Sequence, residues 1–463
     1  MFPILGGGAV GDINGDGWPD VFFPAGGNGP DKLFVNQRDG TFVDEAADWG
    51  LDFIHLSSSA AIADYDGDGR QDIYVLSFGP VGNPQPGHHR LYRNTGTGFV
   101  EQAASAGVAA TSTSVADGWS ASWGDYDLDG DLDLAVAGYR LDPTSNRLFR
   151  NNGDGTFSDA TETAGLSDLV DVAGFAPVFV DMDDRDGPEL IWIGDFSTSM
   201  YFVNNGDGTF RDATAASGTS LDNSEMGVAV GDWNMDGRFD FYVSTIGTNN
   251  IYLNQGGNLF VNAADALSVA TTGWGWGVTA MDIDNDAQPD IVVANQESRN
   301  FAFLGAGTNP LAFVEAGLGL GFGAGDDGRG MAELDADGDG DQDLLVFRSG
   351  KPLRYFENRV PPAGHGWFSV ALDRAGHADV PPAGIGAKVR IRLGTRWLTD
   401  LVAAGNGYMS QGEAVAHFGL GPAEHVDELR VEWPNGHVTR RFDLQAGRRL
   451  QVQAGDVMLD GFE

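Results

Sequence analysis

Cysteine is absent from this chain of 463 residues. Disulfide bonds, thiolate metal sites and cysteine nucleophiles are therefore excluded. The fold has to be stabilised by buried apolar residues, by hydrogen bonds or by cations with oxygen ligands. The absence of cysteine does not by itself assign the chain to a compartment.

Basic residues are scarce, since 27 Lys and Arg stand against 67 Asp and Glu and the formal net charge is −40. Nucleic acid is excluded as a partner because phosphate binding depends on Lys and Arg, and an anionic membrane surface is excluded on the same grounds. The acidity is uneven: residues 1–358 hold 16 basic and 55 acidic residues, whereas residues 359–463 hold 11 and 12. This change predicts a domain boundary near residue 358.

Long apolar runs are also missing. None reaches the roughly 18 residues that a membrane-spanning helix needs, so we predict no membrane insertion. The first five residues lack the basic and apolar regions of a signal peptide, and no export signal is visible.

Acidic loops are what the sequence has in abundance. Seven recur at intervals of 50 to 61 residues, and six follow the template Asp-x-[Asp/Asn]-x-Asp-[Gly/Ala]-x-x-Asp, each followed by an apolar run. Oxygen ligands at positions 1, 3, 5 and 9 suit Ca²⁺, which accepts six to eight oxygens in loose geometry. Glycine at position 6 permits the sharp turn that brings the carboxylates together. Six repeats at a common period favour metal sites over solvated turns, and we expect metal binding to be coupled to folding.

The predicted calcium ligands occupy positions 1, 3, 5 and 9 of each loop. In chain order they are Asp12, Asn14, Asp16 and Asp20; Asp64, Asp66, Asp68 and Asp72; Asp125, Asp127, Asp129 and Asp133; Asp181, Asp183 and Glu189; Asp232, Asn234, Asp236 and Asp240; Asp282, Asp284, Asp286 and Asp290; Asp335, Asp337, Asp339 and Asp343.

Two loops depart from the template. In the fourth loop position 5 is Arg185, whose charge could take the place of the cation, and the glycine falls one position late. We therefore predict six or seven structural calcium sites, with the loop at Asp181 in doubt. The sixth loop has Ala287 where the others have glycine, which predicts a strained but tolerated turn.

Each unit continues past its loop with a second recurrent segment, as in residues 147–159 and 200–212. These segments predict two short strands joined by a glycine-rich hairpin. Four strands in a unit of about 50 residues are typical of a β-propeller blade. We therefore predict an all-β chain with a seven-bladed β-propeller over residues 1–358, a small β domain over residues 364–453, and a frayed tail over residues 454–463.

The last repeat unit has fewer predicted strands than the others, and the first unit has only a short segment before its first strand. The last unit runs through residues 353–358 and then leaves for the next domain, so it has no outer strand of its own. In a closed ring that strand normally comes from the N-terminal side, but the first inner strand begins only about five residues into the chain. We expect either that a preceding segment supplies the closing strand and an export signal, or that the C-terminal domain covers the open edge.

The repeats resemble the FG-GAP/VCBS repeats of integrin α-subunit propellers. Residues 384–390, 405–411, 417–421 and 426–436 resemble the ASPIC/UnbV domain. Together they make the chain similar to the cartilage acidic protein family and its bacterial relatives. The resemblance implies export, calcium binding and a role in adhesion or macromolecular interaction, and it implies no agreed catalytic activity.

The C-terminal domain shows its own strand signals. Val389, Ile391 and Leu393 alternate with basic residues, which predicts a half-buried strand. Asn435-Gly436 predicts a tight hairpin turn. The basic strand faces could dock on the acidic propeller, although charged faces are more often solvated.

Other constellations have competing interpretations. The pattern Gly6-x-Gly8-x-x-Gly11 precedes an acidic loop and not a helix, which excludes a dinucleotide site. His88 and His89 could bind a transition metal or lie in a solvated loop. Four tryptophans near the loops predict blade packing or, as the alternative, a sugar-binding surface; they are Trp119, Trp123, Trp274 and Trp276.

We expect a secreted or periplasmic, monomeric, calcium-binding scaffold whose partner is a protein or a polysaccharide. A lectin-like polysaccharide binder is one alternative. A carbohydrate-active lyase or dehydratase is another, and it predicts a different metal or a histidine/carboxylate cluster at one end of the propeller channel.

Overall fold

The computed structural model describes residues 6–139, 145–220, 223–323, 325, 327–360, 364–405 and 407–455. Strands dominate these ranges, and the two α-helices have one turn each, which confirms the predicted all-β class. The predicted tail lies outside the described residues from position 456 onward.

Units 1 to 3 each contain four antiparallel strands, two flanking the acidic loop and two flanking the glycine-rich hairpin. Unit 1 has β1 (Gly8–Gly11), β2 (Asp20–Phe23), β3 (Lys32–Asn36) and β4 (Phe42–Asp44). Unit 2 has β5 (Ser57–Ala63), β6 (Asp72–Ser77), β7 (Arg90–Asn94) and β8 (Phe99–Glu101), followed by helix α1 (Ala103–Ala106). Unit 3 has β9 (Ala121–Gly124), β10 (Asp133–Val136), β11 (Arg147–Asn151) and β12 (Phe157–Asp159), followed by a 3₁₀ turn (Ser167–Asp171).

Units 4 to 6 repeat this order, and unit 7 has three strands. Unit 4 has β13 (Ala173–Val180), β14 (Glu189–Asp195), β15 (Met200–Asn204) and β16 (Phe210–Asp212), followed by helix α2 (Thr214–Ser217). Unit 5 has β17 (Glu225–Gly231), β18 (Asp240–Thr248), β19 (Asn250–Asn254) and β20 (Phe260–Asn262). Unit 6 has β21 (Thr271–Met281), β22 (Asp290–Gln296), β23 (Phe301–Thr308) and β24 (Leu311–Glu315). Unit 7 has β25 (Gly328–Leu334), β26 (Asp343–Arg348) and β27 (Arg354–Phe356).

The C-terminal domain is built from two further sheets. Its elements are β28 (Gly366–Asp373), a 3₁₀ turn (Pro382–Gly384), β29 (Lys388–Leu393), β30 (Arg396–Leu401), β31 (Ser410–Gln411), β32 (Ala416–Gly421), β33 (His425–Glu432), β34 (Val438–Gln445) and β35 (Arg448–Gln453). Val389 and Ile391 are fully buried in its core and Leu393 packs at the rim, as their alternation predicts. The turn at Asn435-Gly436 joins β33 to β34.

The first strands of the seven units lie side by side in a closed order. Each contacts the first strand of the next unit, and β25 of unit 7 contacts β1 of unit 1. Small residues permit this approach, since Ala9, Ala60 and Ala61 are buried there.

A buried asparagine at the end of the third strand ties neighbouring units together. Asn94 donates from Nδ2 to the Ile13 carbonyl of unit 1 at 2.9 Å and to the carbonyl of Gln71 in its own loop at 3.0 Å. Asn36 donates in the same way to Ala336 of unit 7 at 2.8 Å, which joins the first unit to the last. Asn151, Asn204 and Asn254 make the same contact, and so does the half-buried Asn358, which stands two residues after β27.

Unit 6 has Gly305 where the others have this asparagine, and its contact with unit 5 is different. Here β18 extends beyond its own unit and pairs with β21, so that units 5 and 6 form one eight-stranded sheet. The strand pairing supplies backbone hydrogen bonds at the junction that lacks the asparagine.

A segment of the C-terminal domain inserts between the first strands. Strand β31 pairs in parallel with β1 of unit 1. Tyr408 is fully buried and packs against Phe175 of unit 4 and Trp276 of unit 6, with ring centroids 5.6 and 5.0 Å away. Gln411 bonds both the N–H and the carbonyl of Ile62 in unit 2. Residues 404, 405 and 407–411 therefore link units that are not neighbours.

Strand β27 is the outer edge of unit 7. Within the described ranges no strand pairs with its free side, and the strands of the C-terminal domain pair among themselves or, through β31, with β1. The C-terminal domain therefore does not supply the closing strand at this edge. The alternative, a preceding segment, stays a prediction.

Substitution of Asn151 by Ala should destabilise the fold. Asn151 is buried and its Nδ2 donates to Tyr65 and Leu132 at 2.9 and 3.1 Å. Its loss leaves two buried carbonyls without this donor, which costs about 1–3 kcal/mol of unfolding free energy. Urea unfolding of Asn151→Ala measures the loss. The matched control is Asn152→Ala, because Asn152 is exposed and bonds only within its own hairpin. Equal stability of the two variants would contradict the role of Asn151.

Candidate metal loops

The carboxylate at position 1 organises each acidic loop. Asp12 accepts the N–H of Asp16 at 2.9 Å and the N–H of Gly17 at 2.8 Å. The loops that begin at Asp64, Asp125, Asp232 and Asp282 repeat both bonds, to positions 5 and 6. The seventh loop keeps the bond to position 6.

Position 6 adopts the left-handed backbone conformation that the template predicts. The five glycines have φ between 84° and 91°: Gly17, Gly69, Gly130, Gly237 and Gly340. Ala287 has φ of 70°, so the sixth loop makes the same turn with the strain that its Cβ implies.

Position 9 carries a buried carboxylate that joins the loop to the third strand of its unit. Asp72 is 0% exposed, and it accepts the N–H of Tyr65 at 3.2 Å and the N–H of Asn94 at 2.7 Å. Burial raises the pKa of Asp72 to about 8 and that of its counterpart Asp20 to about 7. Desolvation outweighs the backbone hydrogen bonds at both residues.

Carboxylate oxygens converge in five loops. Three residues of each have ligand atoms within 4.8 Å of one another, and the groups are Asp64, Asp66 and Asp72; Asp125, Asp127 and Asp133; Asp181, Asp183 and Glu189; Asp282, Asp284 and Asp290; Asp335, Asp337 and Asp339. Positions 1, 3 and 9 thus meet in four loops, and positions 1, 3 and 5 meet in the seventh. The first and fifth loops have Asn14 and Asn234 at position 3.

Several of these oxygens have no hydrogen-bond partner although they are buried. Within the described part of the chain, Oδ1 lacks a partner at position 3 in four loops: Asp66, Asp127, Asp183 and Asp284. Two further orphans are Asp286 Oδ1 and Asp240 Oδ2. A buried acceptor without a donor is costly, and adjacent carboxylates repel. A hard cation with oxygen ligands would satisfy these atoms, so the residues present fit such an ion.

Arginine from the third strand holds the outer side of two loops. Arg150 contacts Asp127 at 2.5 Å and Asp129 at 2.7 Å. Arg93 contacts Asp66 and Asp68 in the same way. In these two loops the carboxylate at position 5 therefore already contacts a guanidinium group. Sequence reasoning missed the arginines, although each stands directly before a third-strand asparagine.

The fourth loop receives a lysine from the C-terminal domain. Lys388 is buried, forms an ion pair with Asp184, and lies 5.1 Å from the centre of the Phe239 ring. Burial raises the pKa of Asp181 to about 6, and Lys388 opposes that rise. Arg185, the cation expected here from the sequence, acts on Asp183 by lowering its pKa against desolvation. Two side-chain cations, Arg185 and Lys388, thus lie at this loop. The sequence analysis predicted Arg185 only.

Basic residues of the C-terminal domain bind the carbonyls of other loops. Arg374 donates to Gly67 at 2.7 Å, Arg390 to Gly237 at 2.6 Å and Arg396 to Ala287 at 2.8 Å. The C-terminal domain therefore docks on the acidic loops through its basic residues. The contacts come from β29, β30 and the segment after β28. Arg440 on β34 lies 3.8 Å from Glu428 of its own domain.

A small acidic cavity of about 80 Å³ lies where the domain meets the loops. Glu333, Asp400 and His417 line it. Burial raises the pKa of Asp400 to about 7 and lowers the pKa of His417 to about 4. His417 also contacts Asn285 at 3.1 Å. This volume suits a few waters and not a sugar ring.

A serine, a histidine and an aspartate meet on the other side of the units. Ser77 Oγ lies 2.7 Å from His55 Nδ1, and His55 Nε2 lies 2.8 Å from Asp31. All three are 2% exposed, which closes them to a substrate. His89 is also buried and accepts the Ser77 N–H, so it is neither a solvated residue nor positioned as a metal ligand. The network fastens unit 1 to unit 2.

The tryptophans belong to the packing between strands. Trp119, Trp123 and Trp276 are buried, and Trp274 stacks on Trp276 with ring centroids 5.8 Å apart. The packing interpretation holds for the three buried residues, which are closed to a sugar.

Comparison with known families gives matches that contain the acidic loops. The FG-GAP-like repeat family matches residues 12–75, 125–192, 181–243, 236–293 and 282–346. The chain belongs to the FG-GAP-like repeat family. The ASPIC and UnbV family matches residues 379–458, so this FG-GAP-like chain also carries the C-terminal domain that the sequence indicated.

The FG-GAP-like chain is similar to cartilage acidic protein 1. The human protein is 26% identical over 467 residues, with 93% of this chain and 60% of the relative covered. The Xenopus tropicalis protein is 27% identical over 471 residues, with 93% and 61% covered. The chain thus spans about three fifths of the length of these relatives.

The solved structures that superpose on this chain have low sequence identity to it. A lectin of Agrocybe aegerita that recognises non-reducing terminal N-acetylglucosamine has a TM-score of 0.45 at 16% identity, covering 74% of this chain and 91% of that chain. A GH74 enzyme of Niastella koreensis has a TM-score of 0.46 at 12% identity, covering 97% and 68%. Both scores are low, and neither likeness informs function. Among the described residues no helix is long and apolar enough to cross a membrane.

The pH dependence of stability should reveal the buried carboxylates of the FG-GAP-like loops. Burial raises the pKa of Asp72 from 3.8 to about 8, so the metal-free folded chain binds more protons than the unfolded chain between about pH 4 and pH 8. Its stability therefore falls as pH rises through this range. Melting in chelator should be highest near pH 5 and lowest near pH 8. With saturating calcium the fall should disappear, because the cation replaces the protons. A melting temperature that rises toward pH 8 in chelator would contradict this assignment.

Proposed function

We propose that the chain is a seven-bladed β-propeller stabilised by calcium, with one blade for each repeat unit. The closed order of first strands supports it, and so does the hydrogen bond from Asn36 to Ala336, which are 300 residues apart. Four antiparallel strands in each of units 1 to 6 match a propeller blade. The inserted residues 404, 405 and 407–411 would then fill the central channel.

Calcium is the proposed ion because the loops offer only oxygen ligands in loose, repeated geometry. Asp64, Asp66 and Asp72 show a typical set, with carboxylates at positions 1, 3 and 9. The ion would neutralise the clustered carboxylates and accept the orphaned oxygens as ligands. Its role is structural, because each ligand set bridges two strands of one unit.

The functional proposal rests on the contacts between the acidic loops and the C-terminal domain. Arg374, Arg390 and Arg396 bind carbonyls in the second, fifth and sixth loops, so these three loops serve to hold two domains together. The function that fits is an interaction scaffold: a rigid body whose remaining surfaces bind another macromolecule.

The proposed setting is extracellular or periplasmic, where calcium is abundant enough to fill such loops, and the proposed state is monomeric. The partner is a protein or a polysaccharide. A glycan array with the calcium-loaded chain separates these two: saturable binding there assigns a polysaccharide, and no binding assigns a protein.

Removal of calcium should lower the melting temperature sharply. Without the ion, carboxylates within 4.8 Å of one another are left to repel in every convergent loop. Differential scanning calorimetry with chelator, with added calcium and with added magnesium measures the effect at pH 7.5. Magnesium is the control, since it demands a strict octahedron and keeps its waters. An unchanged melting temperature in chelator and in calcium would reject the metal proposal.

The number of bound ions should be six, because Lys388 and Arg185 surround the fourth loop. Native mass spectrometry of the calcium-loaded chain counts them. The variant Asp127→Ala should bind one ion fewer, since Asp127 contributes an orphaned oxygen to the third loop. Asp154→Ala is the matched control, because Asp154 lies in the exposed hairpin of the same unit. Seven ions in the unmodified chain would show that the side-chain cations leave room for a metal.

A further inference from the structure

A cleft of about 560 Å³ lies beside the fifth acidic loop, where three parts of the chain meet. The loop contributes Asn234 and Asp236, and the β23–β24 hairpin of unit 6 contributes Thr308 and Asn309. The C-terminal domain forms the other wall with residues of β29, β30 and β33. Clefts of this size enclose small organic ligands in many proteins.

The charged residues that line this cleft are mostly basic, although the net charge of the chain is −40. Arg390, Arg396 and Arg430 stand against one carboxylate, that of Asp236. This carboxylate already forms an ion pair with Arg238 at 2.5 Å. The cleft therefore has a local excess of positive charge, which favours an anionic ligand.

Two of these arginines stand directly opposite each other, Arg390 on β29 and Arg430 on β33. Like charges in this arrangement are destabilising. Glu432 lies beside both, 2.9 Å from Arg430 and 3.6 Å from Arg390. One carboxylate between two guanidinium groups leaves one positive charge uncompensated, and a bound anion would compensate it.

The third arginine is held in position by a neutral group. Arg396 is exposed and donates to the Ala287 carbonyl at 2.8 Å. Within the described ranges it forms no ion pair. A guanidinium has five N–H donors, so Arg396 keeps donors for a ligand while the carbonyl fixes its place. Arginine binds carboxylates through two parallel hydrogen bonds, which makes an oxyanion the fitting partner.

Trp397 adds an aromatic surface to the same cleft. Its side chain is half-buried, and Arg392 lies 5.9 Å from the centre of its ring. Asn309 and Thr395 are exposed there, and neither side chain has a hydrogen-bond partner in the described part of the chain. An aromatic face beside unpaired amide and hydroxyl groups suits a sugar ring, which has apolar C–H faces and hydroxyl edges.

We propose that this cleft binds an acidic oligosaccharide, with a sugar ring packed on Trp397 and a carboxylate or sulfate group held by Arg396 and Arg430. Repulsion from distant carboxylates of the chain is screened beyond about 8 Å at physiological ionic strength, so the local charge governs binding. The proposal deepens the scaffold function proposed above and rests on it for its biological meaning, because it names acidic polysaccharide as the class of partner.

The first test compares charged and neutral sugars of equal length. Isothermal titration calorimetry of the calcium-loaded full chain at pH 7.5 uses a glucuronic acid tetramer, a heparin-derived tetrasaccharide and cellotetraose. Cellotetraose is the matched control, because it has the rings without the charges. Saturable binding of at least one acidic tetramer is expected, about fivefold or more tighter than cellotetraose, and the tighter of the two assigns carboxylate or sulfate. No binding of either, or equal binding of cellotetraose, would overturn the proposal.

Substitutions test the assignment to this cleft. Arg396→Gln removes the charge and keeps a donor for the Ala287 carbonyl, so affinity for the acidic tetramer should fall about two- to fivefold. Trp397→Ala should weaken binding by about tenfold, because the packing surface is lost. The matched controls lie outside the cleft: Arg448→Gln on β35, where Arg448 is exposed, and Trp49→Ala in unit 1, where Trp49 is half-buried.

The melting temperatures of the four variants show whether each is folded, and equal effects of the cleft and control variants on affinity would overturn the assignment. A thymidine tetranucleotide that binds more tightly than both acidic sugars would overturn it in favour of nucleic acid. A polysaccharide whose affinity the substitutions at Arg396 and Trp397 leave unchanged would overturn this site and leave the scaffold function in place. The calcium-stabilised scaffold is tested separately, by melting in chelator.

Discussion

The buried carboxylate at position 9 is the interaction on which each repeat depends. Asp133 accepts an N–H from its own loop and another from Asn151 at the end of the third strand. Asn151 in turn donates to the carbonyl of Tyr65 in the preceding unit. One carboxylate thus fixes the loop, the third strand and the position of the next unit. Its desolvation is unfavourable, and a cation bound at the same loop would offset that cost.

The sequence predicted what is local and periodic. The loops and the turn at Ala287 follow from residue types at fixed spacing. The contacts it did not predict join distant parts of the chain: Lys388 reaches Asp184 and Tyr408 reaches Phe175. No local pattern reports such partners. The third-strand asparagines were a missed local signal, because asparagine ends that strand in five of the seven units and stands two residues after it in unit 7.

The merged sheet of units 5 and 6 shows why a single period does not determine every junction. Gly305 removes the side chain that would bond the preceding loop, and β18 and β21 are longer than their counterparts and pair directly. The repeat predicts separate sheets, and tertiary pairing joined two of them. Backbone pairing between β18 and β21 joins units 5 and 6 directly, so the order of units is retained while the local structure changes.

The uneven charge of the chain follows from how its two domains meet. Acidic loops concentrate negative charge on one face, and cations can neutralise it from within the loops or from the C-terminal domain. Arg390 and Arg396 bind loop carbonyls and not the loop carboxylates, so they leave those carboxylates free to act as metal ligands. Lys388 is different, because it pairs with a carboxylate in the loop whose template is broken. The C-terminal domain therefore supplies a side-chain charge at the one loop that departs from the ligand template at position 5.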